Sequence, residues 1–322
     1  MNIDNENRLI QQIQLRPATG SIFQPTGFPD VGAAEFLRPE YADGNDGGRP
    51  STRKCLLVES AQSMANHLEG AGWDVAKQEP VVELAGLPWV RVVAKSDGRF
   101  LTASRLEAHR LAASYIKDAT LDGRDFKEVI RERFGLRDKT PVDYRRIARA
   151  IFELDPLCLL HGVFFAEKAN VWPGQPKIAR ALTAIVEAVD IEPVISGGVK
   201  RDIVSHSASE GAGSKEGYGS IPFHRQEFAA AEINLHVSLD RLQLRSYGLG
   251  KDAAQLLEAV ALWEVRTVLD RGLRLRTACD FVPIGDLGLP TTAELSTRVG
   301  EAAKKCAELL GPTGPIDVVW ED

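Results

Sequence analysis

Alternating apolar and polar positions predict three strands in this chain. Between Leu9 and Pro17 the apolar residues Leu9, Ile13 and Leu15 share one parity. The polar residues Gln12, Gln14 and Arg16 share the other, which is typical of a half-buried strand. The same two-residue period returns from Ile233 to Asp240. A third alternating stretch, Leu273 to Phe281, sets Arg274 and Arg276 opposite its apolar residues. We therefore expect a sheet with a polar face that carries these two arginines.

Apolar residues at helical spacing predict three helices. The stretch from Ala61 to Leu68 follows the i, i+3, i+4, i+7 pattern. A second helix is expected from Asp252, its predicted cap, to Gly272. A third helix begins where Thr291 and Glu294 form the sequence signature of a capping box. After it, the stretch from Ile316 to Trp320 predicts an edge strand.

The residues from 73 to 155 read as an inserted block with elements of its own. We expect a hairpin between Val81 and Val93, a helix within 101–115 and a second helix from Val142 to Leu154. Directly after the block, the apolar run from Leu157 to Phe165 predicts a buried strand.

The order of these elements predicts the fold class. They read strand, helix, strand and again strand, helix, strand, which is the order of the ferredoxin-like βαββαβ fold. We therefore expect an α+β protein with one open sheet face, and RNA-recognition domains of this topology use that face to meet single-stranded RNA. The predicted ranges are 1–72 and 156–288 for the core, 73–155 for the inserted region, 196–225 for an inserted loop, and 289–322 for a helix and edge strand packed on the core.

Composition and charge restrict the function only weakly. The 322 residues are 44% hydrophobic and 26% charged, with a net charge of −6. A local basic groove is compatible with that total because salt screens fields beyond roughly 10 Å. The chain starts without a signal-like segment, and no apolar run is long enough to span a bilayer. The four cysteines form no Cys-x-x-Cys pair, so we expect a cytoplasmic protein with neither a zinc knuckle nor a disulfide framework. We also expect no metal and no cofactor.

The stretch from Ser196 to Arg225 predicts a long glycine-rich loop. Its glycines permit close approach to a ligand, and its cations and aromatic rings suit a polyanion that carries bases. The donors are Lys200, Arg201, Lys215, His224 and Arg225, and the rings are Tyr218 and Phe223. The alternative is a surface loop whose charges are merely solvated.

The start of the helix after Glu59 is a second candidate contact for an anion. Ser60, Gln62, Ser63 and Asn66 place small polar side chains at a helix amino end, where unpaired N–H groups and the helix dipole favour negative charge. The alternative is that serine and asparagine serve here as ordinary capping residues.

Several runs of residues together resemble one protein family. They are Phe23–Asp30 (FQPTGFPD), Leu56–Asn66 (LLVESAQSMAN), Leu159–Phe164 (LLHGVF), Lys215–Gly219 (KEGYG), Pro222–Arg225 (PFHR) and Gly272–Asp280 (GLRLRTACD). The chain resembles the RAMP-superfamily backbone protein of type I-U, or I-G, CRISPR systems. The resemblance extends from about residue 15 to residue 280.

The resemblance implies a non-catalytic protein that polymerises along a CRISPR guide RNA and forms the helical spine of a Cascade complex. It implies a hand-like shape, with an RNA-recognition-like palm, a finger at 73–155 and a thumb at 196–225. The implied partners are the guide RNA, the target DNA strand through guide pairing, neighbouring copies, a large subunit and a guide-end-binding subunit. The expected RNA contacts are Gln24, Ser60, Gln62, Ser63, Asn66, Arg180, Lys200, Arg201, Lys215, Tyr218, His224, Arg225, Arg274 and Arg276.

Two other functions remain open from the sequence. Backbone subunits of type III complexes cleave target RNA with an acidic residue in the loop after the first strand, where this chain has Asp30, Asp43 and Asp46. A phosphate-metabolising enzyme is the second alternative. It has little support, because no phosphate-binding glycine motif stands between a strand and a helix.

Overall fold

The computed structural model describes residues 2–28, 32–40, 51–168, 172–202 and 219–321. Its strands are β1 (Ile3–Asp4), β2 (Arg8–Pro17), β3 (Gly27–Phe28), β4 (Gly32–Glu40), β5 (Ser51–Glu59), β6 (Trp73–Asp74), β7 (Glu79–Pro80), β8 (Trp89–Ala94), β9 (Phe100–Ala103), β10 (Thr120–Leu121), β11 (Arg124–Asp125), β12 (Val163–Phe164), β13 (Lys177–Ile178), β14 (Leu182–Asp202), β15 (Gly219–Asp240), β16 (Leu273–Arg276), β17 (Cys279–Pro283) and β18 (Pro315–Trp320). Its α-helices are α1 (Ala61–Ala71), α2 (Ser114–Lys117), α3 (Phe126–Phe134), α4 (Tyr144–Leu154), α5 (Leu157–His161), α6 (Arg241–Ser246), α7 (Lys251–Arg271), α8 (Thr292–Lys305) and α9 (Ala307–Leu310).

The larger sheet has the order β16-β17-β2-β15-β14-β5-β4-β3, with β1 on β2, and its neighbouring strands are antiparallel. The strands predicted from Leu9 to Pro17 and from Ile233 to Asp240 are β2 and part of β15, paired with each other. Together with the helices, this sheet makes the protein an α+β protein, as predicted.

Helices α1 and α7 form the core with this sheet. Helix α1 packs against β14 and α7, and it buries Met64 and Leu68. Strand β2 buries Leu9, Ile13 and Leu15, as its alternation predicts. Each such side chain contributes about 1.5–3 kcal/mol when fully buried. Apolar burial therefore fixes both the register of β2 and the face of α1 that meets the sheet.

One of the two predicted helix caps agrees with the structure and the other does not. Thr291 and Glu294 form the predicted capping box at the start of α8. The N-cap of helix α7 lies two residues earlier than predicted, because it is Gly250 (φ 94°) and Asp252 lies in the first turn. The acidic residue there still complements the positive end of the helix dipole.

The stretch from Leu273 to Phe281 forms a hairpin and not one strand. Strands β16 and β17 pair with each other, and Ala278 (φ 59°) lies in the turn between them. The predicted apolar parity nevertheless holds on both sides of the turn, since Leu275 and Cys279 are buried. Alternation alone does not reveal the turn, because both strands of a tight hairpin keep the same two-residue period.

A second sheet joins the inserted block to the strand near the end of the sequence. Its order is β11-β10-β18-β8-β9, with β18 parallel to β8. The prediction of an edge strand from Ile316 to Trp320 is therefore wrong, because β18 has a partner on each side and Val318 is buried. The predicted hairpin from Val81 to Val93 is also wrong, since Val82–Leu84 is a single 3-10 turn and β8 pairs with β9.

Two further predictions near the inserted block are wrong. The expected helix within 101–115 is the end of β9, a 3-10 turn at Arg110–Ala112 and the start of α2. The expected strand from Leu157 to Phe165 is mostly helix α5, followed by β12. All side chains of α5 are buried, and periodicity cannot separate a fully buried helix from a fully buried strand.

Strands β14 and β15 continue beyond the sheet as a two-stranded arm. They pair from Leu182↔Leu239 to Asp202↔Gly219, although β2 accompanies β15 only from residue 233 and β5 accompanies β14 only as far as residue 189. We define the arm as residues 191–202 and 219–230. The arm spans roughly 35 to 40 Å at about 3.3 Å per residue.

The arm corrects the prediction of a loop over residues 196–225. Its described parts are regular strand, because a glycine-rich, charged composition does not prevent backbone pairing in a ribbon. The remaining residues of that prediction, 203–218, lie outside the described part of the chain. At the base of the arm, Arg53 bridges Asp190 (φ 51°) and Glu232 at 2.5 and 2.9 Å, where the pairing of the two strands is interrupted.

Candidate nucleic-acid interface

The amino end of α1 carries the polar residues that the sequence singled out. Ser60 is the N-cap, and its hydroxyl accepts a hydrogen bond from the Ser63 backbone N–H at 3.3 Å. Gln62 and Asn66 are exposed, and the first turn contains no acidic residue. We call Ser60, Gln62, Ser63 and Asn66 the α1 patch. Ser60 is thus a structural cap, and the exposed amides remain available to an anion.

The segment that contains Gln24 lies across several strands near the α1 patch. Phe23 forms a bridge with Phe228 of β15, with both N–H···O distances at 2.9 Å, and the Gln24 N–H donates to the Ala278 carbonyl at 2.7 Å. The Thr26 N–H donates to the Val58 carbonyl, two residues before Ser60. These backbone bonds bring the predicted contact Gln24 to the same side of the fold as the start of α1.

The two predicted arginines of the β16–β17 hairpin have different environments. Arg274 is exposed. The guanidinium of Arg276 forms an ion pair with Glu59, whose side chain is 0% exposed, and it also lies 3.4 Å from the Gln24 carbonyl and 3.3 Å from Cys279 Sγ. The charge of Arg276 is therefore largely neutralised inside the protein, whereas that of Arg274 faces solvent.

The predicted contacts on the arm are only partly described. Lys200, Arg201 and His224 occupy paired strand positions, and their side chains lie outside the described set. Arg225 is exposed opposite Ser196. The predicted contacts Lys215 and Tyr218 lie outside the described residues.

Arg180 is separated from the other predicted contacts. It precedes β14, and twenty residues of mostly extended chain lead from it to Lys200, a path of roughly 66 Å at about 3.3 Å per residue. One phosphate group cannot meet both residues. The structure therefore divides the predicted set into the arm, the surface around the α1 patch, and a third place around Arg180.

A buried network of charges beside Arg180 was not anticipated. Glu69 of α1 accepts two hydrogen bonds from Arg110, both at 2.6 Å. His161 of α5 donates to Glu264 of α7 at 2.9 Å, and both side chains are 0% exposed. Burial alone would lower the pKa of His161, but the carboxylates of Glu264 and Glu69 outweigh it and raise that pKa. The network ties helices of the core to the inserted block.

Among the described residues, no group of three or more His, Cys, Asp or Glu side chains is placed to hold a metal ion. None of the described helices combines the length and hydrophobicity needed to cross a membrane. The acidic residues considered for RNA cleavage, Asp30, Asp43 and Asp46, lie outside the described residues.

The fold and the site define an α+β protein with a two-stranded arm and a polar helix start on its main sheet. The family model of CRISPR-associated protein GSU0053 matches residues 9–193, more than half of the chain. The chain belongs to this CRISPR-associated family. No curated protein matches it.

Among solved structures, a chain of a "CRISPR RNA-guided surveillance complex, pre-nicking" is similar to this chain at 12% sequence identity. The similarity covers 98% of this chain and 95% of the other, with a TM-score of 0.33.

Proposed function

We propose that this protein is the RNA-binding backbone subunit of a type I-U/I-G Cascade complex and that copies of it line a CRISPR guide RNA. The observation that carries the proposal is the strand order β17-β2-β15-β14. Helix α1 lies between β2 and β14 in the chain, and α7 lies between β15 and β16. This connectivity supports the proposal of a ferredoxin-like βαββαβ palm of the RNA-recognition type.

In this proposal the arm is the thumb and grips the sugar-phosphate backbone of the guide. Lys200, Arg201 and Arg225 neutralise phosphates there, and the exposed Arg274 adds a contact from the palm. Charge neutralisation of this kind gives affinity that depends on salt and not on sequence. Guide bases then pair with the target DNA strand, so that pairing reads the sequence and the protein reads the backbone.

The α1 patch supplies neutral hydrogen bonds to the same strand. Gln62 and Asn66 are exposed beside a helix amino end, which favours phosphate. Contacts of this type position a nucleic acid without selecting its bases. The subunit breaks no bond in this mechanism, and neighbouring copies and the large and guide-end-binding subunits complete the complex.

The exposed apolar side chains of the arm support a surface that binds another molecule over a surface that is merely solvated. Ile195 is 78% exposed and Val199 is 55% exposed on the same ribbon. Both side chains lie on the part of β14 beyond its pairing with β5, and exposed apolar side chains grouped in this way are typical of a surface that meets another molecule. In the proposed complex, that molecule is the guide RNA or the next copy of the chain.

The first experiment co-expresses the protein with a matching guide transcript and examines the purified material by gel filtration, nucleic-acid extraction and electron microscopy. We expect ordered oligomers that contain RNA. Protein that stays monomeric and without bound RNA under these conditions would refute the proposal. Incubating the oligomers with complementary RNA and magnesium tests the non-catalytic role, because regularly spaced products that vanish in Asp30→Ala would contradict it.

The second experiment measures RNA affinity against salt concentration. Lys200→Gln/Arg201→Gln removes two charges from the arm and is expected to lower the slope of log K against log salt by about 1.4, or about 0.7 per lost contact. Lys304→Gln/Lys305→Gln removes the same charge from exposed positions of α8 and is the matched control. Equal slopes in the two variants would remove the arm from the interface.

A further inference from the structure

A cavity of about 450 Å³ lies where the inserted block meets the start of β14. Three segments line it: the turn and helix start within 108–117, residues 161–166 around β12, and residues 177–180. Its volume is within the range of about 300–1,000 Å³ that small-molecule sites occupy in proteins. We call it the Arg180 cavity.

The ionisable side chains of the Arg180 cavity are cations and histidines, and the described lining contains no aspartate or glutamate. Two of the cations are already paired. Arg110 is held by Glu69 and donates to the Gly162 carbonyl at 3.1 Å, and Lys117 contacts Asp118 at 3.0 Å and also Glu167. A lining of donors without carboxylates suits an anion and not a metal ion.

Arg180 has no ion-pair partner among the described residues. Its Nε atom is buried and has no hydrogen-bond partner among the described residues. Burial and the nearby charge of Arg110 lower the pKa of Arg180 and outweigh the opposite effect of the Glu69 carboxylate, so the environment disfavours the charge of Arg180. A buried donor without a partner is costly. The Arg180 side chain lines the cavity, where a bound anion would compensate its charge.

A flat apolar surface stands beside these donors. Phe164 is 47% exposed, and Lys177 Nζ lies 5.8 Å from the centroid of its ring. Aromatic faces of this kind stack on nucleobases. The turn that presents Phe164 depends on Gly162 (φ 79°), where a Cβ atom would lie 2.9 Å from the Ile178 carbonyl oxygen.

We propose that the Arg180 cavity binds a nucleotide, with the phosphate on Arg180 and Lys177 and the base against Phe164. The site is separate from the arm and the α1 patch and does not depend on their role. A free nucleoside monophosphate and one unit of a single strand offer the same chemistry, and the test distinguishes these two sources.

The test measures binding of UMP, uridine, inorganic phosphate and a fluorescent pentauridylate to the full chain by calorimetry and fluorescence anisotropy. Wild type is expected to bind UMP or pentauridylate more tightly than uridine or phosphate alone. Arg180→Gln and Phe164→Leu are each expected to weaken that binding about tenfold, the effect of one charged or stacking contact of about 1.4 kcal/mol. Arg137→Gln removes an exposed arginine outside the cavity and is expected to leave binding unchanged.

Loss of UMP binding in Arg180→Gln identifies a site for the free nucleotide, and loss confined to pentauridylate identifies a site for a strand. Unchanged binding of both probes in Arg180→Gln overturns the proposal, as does inorganic phosphate that binds as tightly as UMP. If Arg180→Gln does not fold, as judged by circular dichroism, Lys177→Gln at an exposed position provides the same comparison.

The outcomes separate this proposal from the proposed function. UMP binding in a protein that never binds guide RNA would refute the proposed function and support the nucleotide site in the Arg180 cavity. A salt slope that depends on Lys200 and Arg201, together with nucleotide binding that does not change in Arg180→Gln, would support the proposed function and refute the nucleotide site.

Discussion

Replacing Arg276 is expected to destabilise the protein strongly and to affect RNA binding little. Arg276 is the ion-pair partner of Glu59, a fully buried carboxylate whose second oxygen has no hydrogen-bond partner among the described residues. Arg276→Ala therefore leaves a buried charge without compensation, and such a loss costs about 3–5 kcal/mol. The neighbouring Arg274 is exposed, and Arg274→Ala is expected to change stability by less than about 0.5 kcal/mol.

Urea unfolding followed by circular dichroism measures both variants under identical conditions. The double variant Glu59→Gln/Arg276→Ala is expected to recover part of the lost stability, because the neutral amide is less costly to bury than the unpaired carboxylate. In RNA binding the variant with the larger effect should be the other one: Arg274→Ala is expected to lower the slope of log K against log salt by about 0.7, and Arg276→Ala is expected to leave it unchanged. Two arginine variants of equal stability would refute the reasoning about the ion pair.

Three further predictions follow from the caps, the buried network and the turn. Thr291→Ala removes the capping box of α8 and is expected to cost about 1 kcal/mol in a denaturant titration, whereas Thr297→Ala on the same helix is not. The raised pKa of His161 stabilises the fold below pH 6.5, so the free energy of unfolding should fall as pH rises through the folded pKa, and His161→Gln should flatten that dependence. Gly162→Ala should lower the thermal midpoint and abolish nucleotide binding to the Arg180 cavity, while Gly86→Ala, which has open space for a Cβ atom, should do neither.

Much of the main sheet could be predicted because its elements follow regular periods. Strand β2 alternates at Leu9 and from Gln12 to Arg16, and α1 has a clear apolar stripe, so local pattern and tertiary packing agree there. The strands of the arm could not be predicted from a sequence period. These two strands pair with each other over their whole length, and the sequence shows no hydrophobic period over residues 196–202.

Helix α5 was missed for the opposite reason. Its residues are buried on all sides, and a continuous apolar run carries no period. The parallel pairing of β18 with β8 was missed because nothing in either segment specifies a partner so distant along the chain.

The candidate site was predictable only where its residues are neighbours in the sequence. Ser60 and its neighbours stand together in the sequence, and the capping role follows from residue type alone. The ion pair of Glu59 with Arg276 joins residues 217 positions apart, and no short-range pattern indicates it. The Arg180 cavity likewise exists only once the fold has brought three separate segments together.

The pairing of β18 with β8 also sets the order in which the protein is completed during translation. Arg91 and Asp317, which face each other across this pair, are 226 residues apart in the chain. At about 5–20 residues per second, the ribosome needs roughly 11–45 s to supply the missing strand. The half-built second sheet waits over that interval with one edge of β8 unpaired, and the nascent chain is open to mispairing with other strands. The topology of the second sheet therefore leaves that edge of β8 without its native partner until β18 has been synthesised.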